Sequence, residues 1–229
     1  MCQDPDAPAF RTGLERLFRN YWGPVYFFIR RNTRLDVERA KDSTQAFFLS
    51  FLERDLVGRV AADRGRFRNF VCVALRNFLA NERRAEKAAK RKPGQGAILS
   101  IDKIALDQSG FDVADIREGD AEALFEEDWK RAVVEAALAE LRSRARELGR
   151  EAVVAAFVEY DIDRPTGVKI TYDELAARHG LSFSQLNNGL HWARKEFKAE
   201  IWRELERTTA SAEDLRKEAK DLFGMDAGA

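Results

Sequence analysis

The sequence predicts an all-α protein with two small helical domains joined by a linker, the second of which contains a helix-turn-helix. Apolar residues recur at three- and four-residue steps in several separate segments, as they do on one face of an α-helix. No segment sustains the apolar–polar alternation of a β-strand. Proline and glycine lie between the periodic segments, where they end helices and form loops.

Length and composition limit the classes of protein to consider. With 229 residues, the chain can hold one or two domains. No run approaches the roughly 18 apolar residues of a membrane span, and the first ten residues lack the basic start and apolar centre of a secretory signal. The two cysteines, Cys2 and Cys72, give no disulfide framework. We therefore expect a cytoplasmic protein without a membrane segment.

Charge is unevenly distributed, although the whole chain is neutral. Residues 59–92 carry eleven basic and three acidic side chains, a net charge of +8. Residues 100–128 carry ten acidic and two basic side chains, a net charge of −8. This asymmetry indicates one part that faces nucleic acid and an acidic connector beside it.

The periodic segments and the breaks between them divide the chain into five parts. Three segments with aromatic faces can pack into a first helical bundle, with a loop at residues 55–64 before the third. The tail carries Leu215, Leu222 and Phe223, which fit a short helix packed on the body or on a partner. The predicted parts are a disordered N-terminus (1–9), a first helical domain (10–92), an acidic linker (93–119), a second helical domain (120–207) and a C-terminal tail (208–229).

Positive charge is concentrated on the third predicted helix, at residues 65–92. Its apolar residues fall on one helical face, and most of its arginines and lysines fall off that face. A continuous helix of this length would extend about 40 Å, at about 1.5 Å per residue. A long helix with one anchored flank and one cationic flank suits binding along nucleic acid. An ordinary amphipathic helix with a solvated basic face would have the same pattern.

Residues 171–204 contain start signals for two consecutive helices. Thr171 and Glu174 fit a capping box, in which each residue satisfies a backbone N–H of the other. Ser182 or Ser184 is a suitable N-cap for the second helix, because a serine hydroxyl accepts from an N–H of the first turn.

Between those helices, Ala176, Gly180 and Leu186 have the spacing of a DNA-binding helix-turn-helix. The small residue lets the helices cross closely, and the glycine suits a turn that needs a positive φ. The second helix would then enter the major groove, which is about 12 Å wide. A helical hairpin that never touches DNA would share these features. The residues expected to point outward from the second helix are Ser184, Gln185, Asn187, Asn188, His191, Arg194 and Lys195.

Signals of catalysis and of bound cofactors are missing from the sequence. The two histidines, His179 and His191, lack the cysteine or carboxylate neighbours of a metal site. No nucleotide-binding or hydrolase motif is present. We therefore expect no enzyme activity, no cofactor and no metal.

Two helical modules, one basic and aromatic and one with a helix-turn-helix, joined by an acidic linker, resemble a bacterial RNA polymerase sigma factor. The most similar type is the minimal two-domain, extracytoplasmic-function group, and the resemblance covers residues 10–205. YWGPVYFFIRR resembles the start of the family's promoter-melting domain, and DSTQAFF resembles its Asp-x-x-Gln-x-x-Phe motif. That motif binds the clamp helices of polymerase, which implies that Asp42 and Gln45 are exposed contacts and Phe48 a core anchor. The alternative is that Asp42 and Gln45 are ordinary solvated side chains.

FRNFVCVALRNFLANERRAEKAAKR resembles the segment that reads and opens the −10 element. Arg76 and Asn77 stand where the family usually has an Arg-Asn pair, and Asn81 replaces a frequent aspartate. The resemblance implies that the loop at residues 55–66 helps to hold a flipped base. The implied −10 contacts are Arg64, Arg66, Arg68, Arg76, Asn77, Asn81, Arg83, Arg84 and Lys87.

ITYDELAARHGLSFSQLNNGLHWARKEF resembles the −35 reader, so the outward residues of the second helix are the implied −35 contacts. The pattern departs from the family at Asn187, Asn188 and Gly189, where basic or hydroxylated residues are frequent. Residues 161–169 form an insert relative to the family.

The expected function is that of a sigma factor, which binds core RNA polymerase and directs promoter recognition and DNA opening. The implied partners are core RNA polymerase and promoter DNA, and the resemblance leaves an anti-sigma factor open. Two other functions fit the same sequence features. One is a free-standing helix-turn-helix transcription regulator, and the other is a helical protein-interaction adaptor.

Overall fold

A computed structural model describes residues 8–53, 67–91, 118–165, 167, 169–209 and 211–226. These residues form α-helices and one π-helical turn, with no β-strand among them, so the predicted all-α class is confirmed. The N-terminal seven residues, the predicted loop at 55–64 and residues 93–117 of the predicted linker lie outside the described part. The helices are α1 (Pro8–Asn32), α2 (Val37–Glu53), α3 (Phe67–Arg91), α4 (Glu118–Leu148), α5 (Glu151–Phe157), α6 (Tyr172–Arg178), α7 (Phe183–Glu206) and α8 (Ala212–Phe223).

The chain divides into two compact units, Met1–Trp129 and Lys130–Ala229. The division falls inside α4, whereas the sequence predicted that the second domain would begin at residue 120. Packing explains the difference, because Trp129 stacks on Tyr21 with ring centroids 3.8 Å apart. Phe125 is also buried, 5.7 Å from the same indole. The first turns of α4 therefore complete the core of unit 1.

Unit 1 is built from α1, α2, α3 and the start of α4, with α1 packed against α2 and α3. Its core is rich in aromatic rings, as the helical periodicity predicts. Phe48 lies 4.6 Å from Phe18 and 5.7 Å from Trp22 between ring centroids. Pro24 lies inside α1, and the helix continues through it to Asn32.

Unit 2 is built from the rest of α4 and from α5 to α8. Helix α7 contacts α5, α6 and α8. The predicted tail forms α8, in which Ala219 and Leu222 are buried, so it packs on the body of this unit. The central apolar cluster contains Leu138, Leu141, Ala145, Val153, Val154, Ala156, Phe157, Leu175, Ala176, Leu186, Leu190 and Ala193.

A π-helical turn, Val158–Ile162, extends α5 into the segment that the sequence presents as an insert. The Asp163 N–H donates to the Val158 carbonyl, five residues earlier, at 2.8 Å. The first two residues of the predicted loop at 161–169 therefore belong to this turn. π-Helical turns are rare and often lie at functional sites.

None of the described helices is both long enough and apolar enough to cross a bilayer.

Candidate nucleic-acid interface

The start of α6 is fixed by the predicted capping box. The Thr171 hydroxyl accepts from the Glu174 N–H at 3.3 Å, and a Glu174 carboxylate oxygen accepts from the Thr171 N–H at 2.9 Å. Both hydrogen bonds are present, so this prediction is confirmed. The Thr171 backbone N–H and hydroxyl lower the pKa of Glu174, because they stabilise its charged form.

The turn between α6 and α7 has the geometry that its glycine suggests. Gly180 has φ of 64°, a left-handed conformation that residues with a Cβ rarely adopt. The Leu181 N–H donates to the Ala176 carbonyl at 2.9 Å, which satisfies an acceptor at the end of α6. The chain therefore reverses within a few residues and leads directly into α7.

Ser182, rather than Ser184, is the N-cap of α7. Its hydroxyl accepts from the Gln185 N–H at 3.2 Å, and the Gln185 side chain accepts from the Ser182 N–H at 2.8 Å. This second capping box was not predicted, although its Ser-x-x-Gln spacing is visible in the sequence. Gln185, one of the proposed base contacts, is thus engaged in holding the helix start.

The inner face of α7 is anchored in the core of unit 2. Leu186, Leu190 and Ala193 are fully buried, as the helical spacing predicts. Gly189 lies on the same face, and a Cβ built on it would be 2.7 Å from Val153 Cγ2. The glycine therefore permits a close approach of α7 to α5, which explains one departure from the sigma-factor pattern in structural terms.

The outer face of α7 is polar and open to solvent. Its exposed side chains offer hydroxyl, amide, imidazole and ammonium groups, which can contact base edges and phosphates. Two other proposed contacts on this helix already interact within the protein. Gln185 caps the helix, and Arg194 forms an ion pair. The remaining candidates, which are exposed, are Ser184, Asn187, Asn188, His191 and Lys195.

Arg194 is held by a carboxylate from the π-helical turn. Its Nε donates to Asp161 Oδ2 at 2.9 Å and its Nη2 donates to Oδ1 at 3.1 Å, which makes a bidentate pair. Nη2 also lies 3.4 Å from the Tyr172 hydroxyl. The pKa of Arg194 is raised, first by the hydrogen bond to Asp161. Sequence reasoning missed Asp161 and Tyr172 as neighbours of this arginine.

A second carboxylate in the π-helical turn binds the end of α6. Glu159 is 2.8 Å from His179 Nε2 and also forms an ion pair with Arg178. These hydrogen bonds, that of His179 first, lower the pKa of Glu159. The turn therefore contacts both α6, through Glu159, and α7, through Asp161.

The basic residues proposed for the −10 element fall into different environments in unit 1. Arg68 is only 7% exposed and forms an ion pair with Glu126 of α4. Arg76, also partly buried, pairs with Glu122. Acidic residues that the sequence assigned to the second domain therefore neutralise two of the proposed phosphate contacts within this unit.

The later part of α3 leaves its proposed contacts accessible. Arg83, Arg84 and Lys87 are exposed, and Arg83 also donates to the Asn32 carbonyl. Asn77 and Asn81 are partly buried. Arg64 and Arg66 lie outside the described residues. The exposed positive charge of α3 is thus concentrated toward its C-terminal end.

The residues proposed to contact polymerase lie together on α2. Asp42 and Gln45 are exposed, and Phe48 is buried against Phe18 and Trp22. This is the arrangement of two surface residues and one core anchor that the sequence motif implies. The contact with polymerase itself stays a prediction.

Within the described ranges, no group of three or more His, Cys, Asp or Glu residues is placed to hold a metal ion. Comparison of the chain with models of protein families found no match. Comparisons with curated proteins and with solved structures also found no match.

Proposed function

We propose that this chain is a sigma factor that binds core RNA polymerase and directs promoter recognition and DNA opening in the cytoplasm. The observation that carries the proposal is the exposed polar face of α7. The helix is anchored on its inner face by Leu186 and Leu190, and its start is fixed by the box at Ser182. A helix presented in this way has the shape and chemistry to enter a major groove.

Unit 1 supports the proposal through two separate surfaces. On α2, Asp42 and Gln45 are available to a protein partner. On α3, Arg83, Arg84 and Lys87 are available to a phosphate backbone. Each phosphate contact should add about 0.9 to the slope of log affinity against log salt concentration. Promoter binding would therefore weaken steeply as salt increases.

A sigma factor makes and breaks no covalent bond. It would lower the cost of opening DNA through contacts that form only in the open state. Unstacked bases received on aromatic surfaces are worth about 1–3 kcal/mol each. The acidic residues of the predicted linker, 93–119, would imitate nucleic acid in a basic channel of polymerase, which is an electrostatic argument.

Co-purification with core RNA polymerase tests the proposed polymerase contact. Asp42→Arg should reduce the amount of polymerase retained by the tagged full-length chain, because it reverses the charge of a proposed contact. Glu38→Arg is the matched control, since it makes the same charge reversal one turn earlier on the exposed surface of α2. Equal retention by wild type and Asp42→Arg would refute the proposed role of this residue. A wild-type chain that retains no polymerase would refute the sigma-factor proposal and favour a free-standing regulator or an adaptor.

A further inference from the structure

The pair between Asp161 and Arg194 joins two parts of unit 2 that the sequence presents separately. Asp161 lies in the π-helical turn, and Arg194 lies in the middle of α7. The two hydrogen bonds, of 2.9 and 3.1 Å, join Nε and Nη2 to the two carboxylate oxygens. A planar guanidinium held at two points has a fixed orientation.

The pair leaves part of the guanidinium available to a ligand. Its Nε edge is occupied by Asp161, and the contact of Nη2 with the Tyr172 hydroxyl is long, at 3.4 Å. Nη1 has no hydrogen-bond partner among the described residues, and the Arg194 side chain is 44% exposed. The Nη1–Nη2 end can therefore still offer two N–H groups in a fork. Arginine uses such a fork to contact O6 and N7 of guanine in the major groove.

The location of Arg194 on α7 also fits contact with a base edge. Positions 187 and 194 are seven residues apart, so Asn187 and Arg194 share one flank of the helix. Phe183 lies on the same flank and is 54% exposed, with its ring 6.2 Å from that of Tyr172. An amide, a guanidinium and an apolar ring on one flank suit adenine, guanine and a thymine methyl group, respectively.

Electrostatics favours a base contact over a phosphate contact for this arginine. A guanidinium already paired with a carboxylate contributes little net charge, and attraction to phosphate depends on net charge. Contact with a base edge depends instead on the placement of donors, which the bidentate pair improves. Lys195, which has no ion-pair partner among the described residues, and the exposed cations of α3 are better suited to phosphate.

We propose that Asp161 is a positioning residue, which orients Arg194 so that it reads one guanine in duplex DNA. The inference rests on the proposed function, and it assigns a role to the insert that departs from the sigma-factor pattern. Asp161 would act only through Arg194 and would not touch the base.

Selection from a duplex DNA library with a random 20-base-pair window, using the full-length chain with core RNA polymerase, tests the inference. The wild type should select a G·C pair at one position, and Arg194→Ala should abolish that preference. Asp161→Asn should weaken the same preference by about tenfold, because a mobile fork discriminates less well. Asp163→Asn, which changes the net charge equally at an exposed neighbouring position, should leave the preference unchanged.

A second measurement separates positioning from loss of fold. Both Asp161→Asn and Asp163→Asn remove one negative charge, so both variants should bind a fixed non-specific duplex at least as tightly as the wild type does. An unfolded Asp161→Asn variant would instead lose this binding. In that event Asp161→Glu replaces it, because a longer side chain retains the charge but moves the carboxylate, and the guanine preference should fall in the same way.

The outcomes distinguish the inference from the proposed function. A folded Asp161→Asn or Asp161→Glu variant that retains the Arg194-dependent preference would overturn the positioning role and leave the sigma-factor proposal standing. If Arg194→Ala changed the preference at no position of the DNA that the wild type selects, the positioning role would also be overturned and the sigma-factor proposal would stand. A wild-type chain that neither binds polymerase nor selects any sequence would overturn both.

Discussion

Gly189 of α7 lies directly against Val153 of α5, and a Cβ on the glycine would be 2.7 Å and 2.8 Å from the two γ-carbons of the valine. Valine is stiff about χ1, so these methyl groups have little freedom to move aside. Gly189→Ala should therefore lower the free energy of unfolding of unit 2, although alanine favours helix by about 1 kcal/mol over glycine. Overpacking costs about 1–3 kcal/mol, which leaves a net loss of up to about 2 kcal/mol. Urea denaturation measures it.

The same substitution elsewhere provides the control. Gly23 lies in α1, and a Cβ built there meets no atom within 4 Å outside its chain neighbours. Gly23→Ala should raise stability by less than about 1 kcal/mol, because the following Pro24 disfavours helical backbone at a residue with a Cβ and so reduces the gain in helix propensity. Adding Val153→Ala to Gly189→Ala should cost less than the sum of the two single changes, because the smaller side chain removes the clash. If Gly189→Ala stabilised the protein as Gly23→Ala should, the close approach of α5 and α7 would be wrong.

Ser182 and Ser184 provide a matched pair at the start of α7. Ser182→Ala removes the hydroxyl that accepts from the Gln185 N–H and should cost about 1 kcal/mol of stability. Ser184→Ala makes the same chemical change two residues later, on the exposed face, and should cost less than about 0.5 kcal/mol. Thermal and urea unfolding measure both effects. A larger loss of stability for Ser184→Ala than for Ser182→Ala would show that Ser182 is not the cap.

Substitutions of Glu126 and Glu122 test whether a buried ion pair contributes more to the free energy of unfolding than a more exposed one. Glu126→Gln would leave the charge of Arg68, which is 7% exposed, without this carboxylate. The expected loss of stability of unit 1 is about 1–3 kcal/mol. Glu122→Gln removes the partner of the more exposed Arg76, and the expected loss is about 0–1 kcal/mol. Equal losses in urea denaturation would contradict the buried position of Arg68.

Local sequence patterns predicted the helical segments well because their causes are local. The cap at Thr171, the turn at Gly180 and the buried positions Leu186 and Leu190 follow from hydrogen-bonding chemistry and helical period alone. The same reasoning gives a core for each set of helices. It also identified the exposed positions on the outer face of α7.

Other features depend on contacts between residues far apart in sequence and could not be predicted in this way. The period of α4 continues without a break, so only the stacking of Trp129 on Tyr21 reveals that its start belongs to unit 1. Arg68 looks like any basic residue off the apolar stripe, and its burial depends on Glu126, 58 residues later. The partnership of Asp161 with Arg194 depends on a π-helical turn, which no local pattern of residues indicates.

The hydrogen bonds to Glu159 predict a dependence of stability on pH. Its pKa is lowered in the folded state, so the stabilisation is present above the ordinary pKa of glutamate, about 4.3, and is lost as pH falls through the lower folded value. With Glu159→Gln, the free energy of unfolding of unit 2 should fall less steeply with decreasing pH below about pH 5. Urea midpoints measured from pH 6 to pH 3 test this. In a His179→Ala background, Glu159→Gln should alter the pH dependence of stability less than it does in the wild type. An equal alteration would exclude His179 as the main cause of the lowered pKa of Glu159.

The central claim is that the chain directs promoter-specific initiation, and transcription by purified core RNA polymerase tests it most directly. The template is genomic DNA of the organism that carries this sequence, and the transcript start sites are sequenced with and without the full-length chain. The sigma-factor proposal predicts defined start sites that appear only with the chain. Combined Arg83→Ala and Arg84→Ala should reduce these transcripts while polymerase binding persists, because the proposal assigns these two charges to the DNA backbone. Start sites identical to those of core polymerase alone would contradict the account.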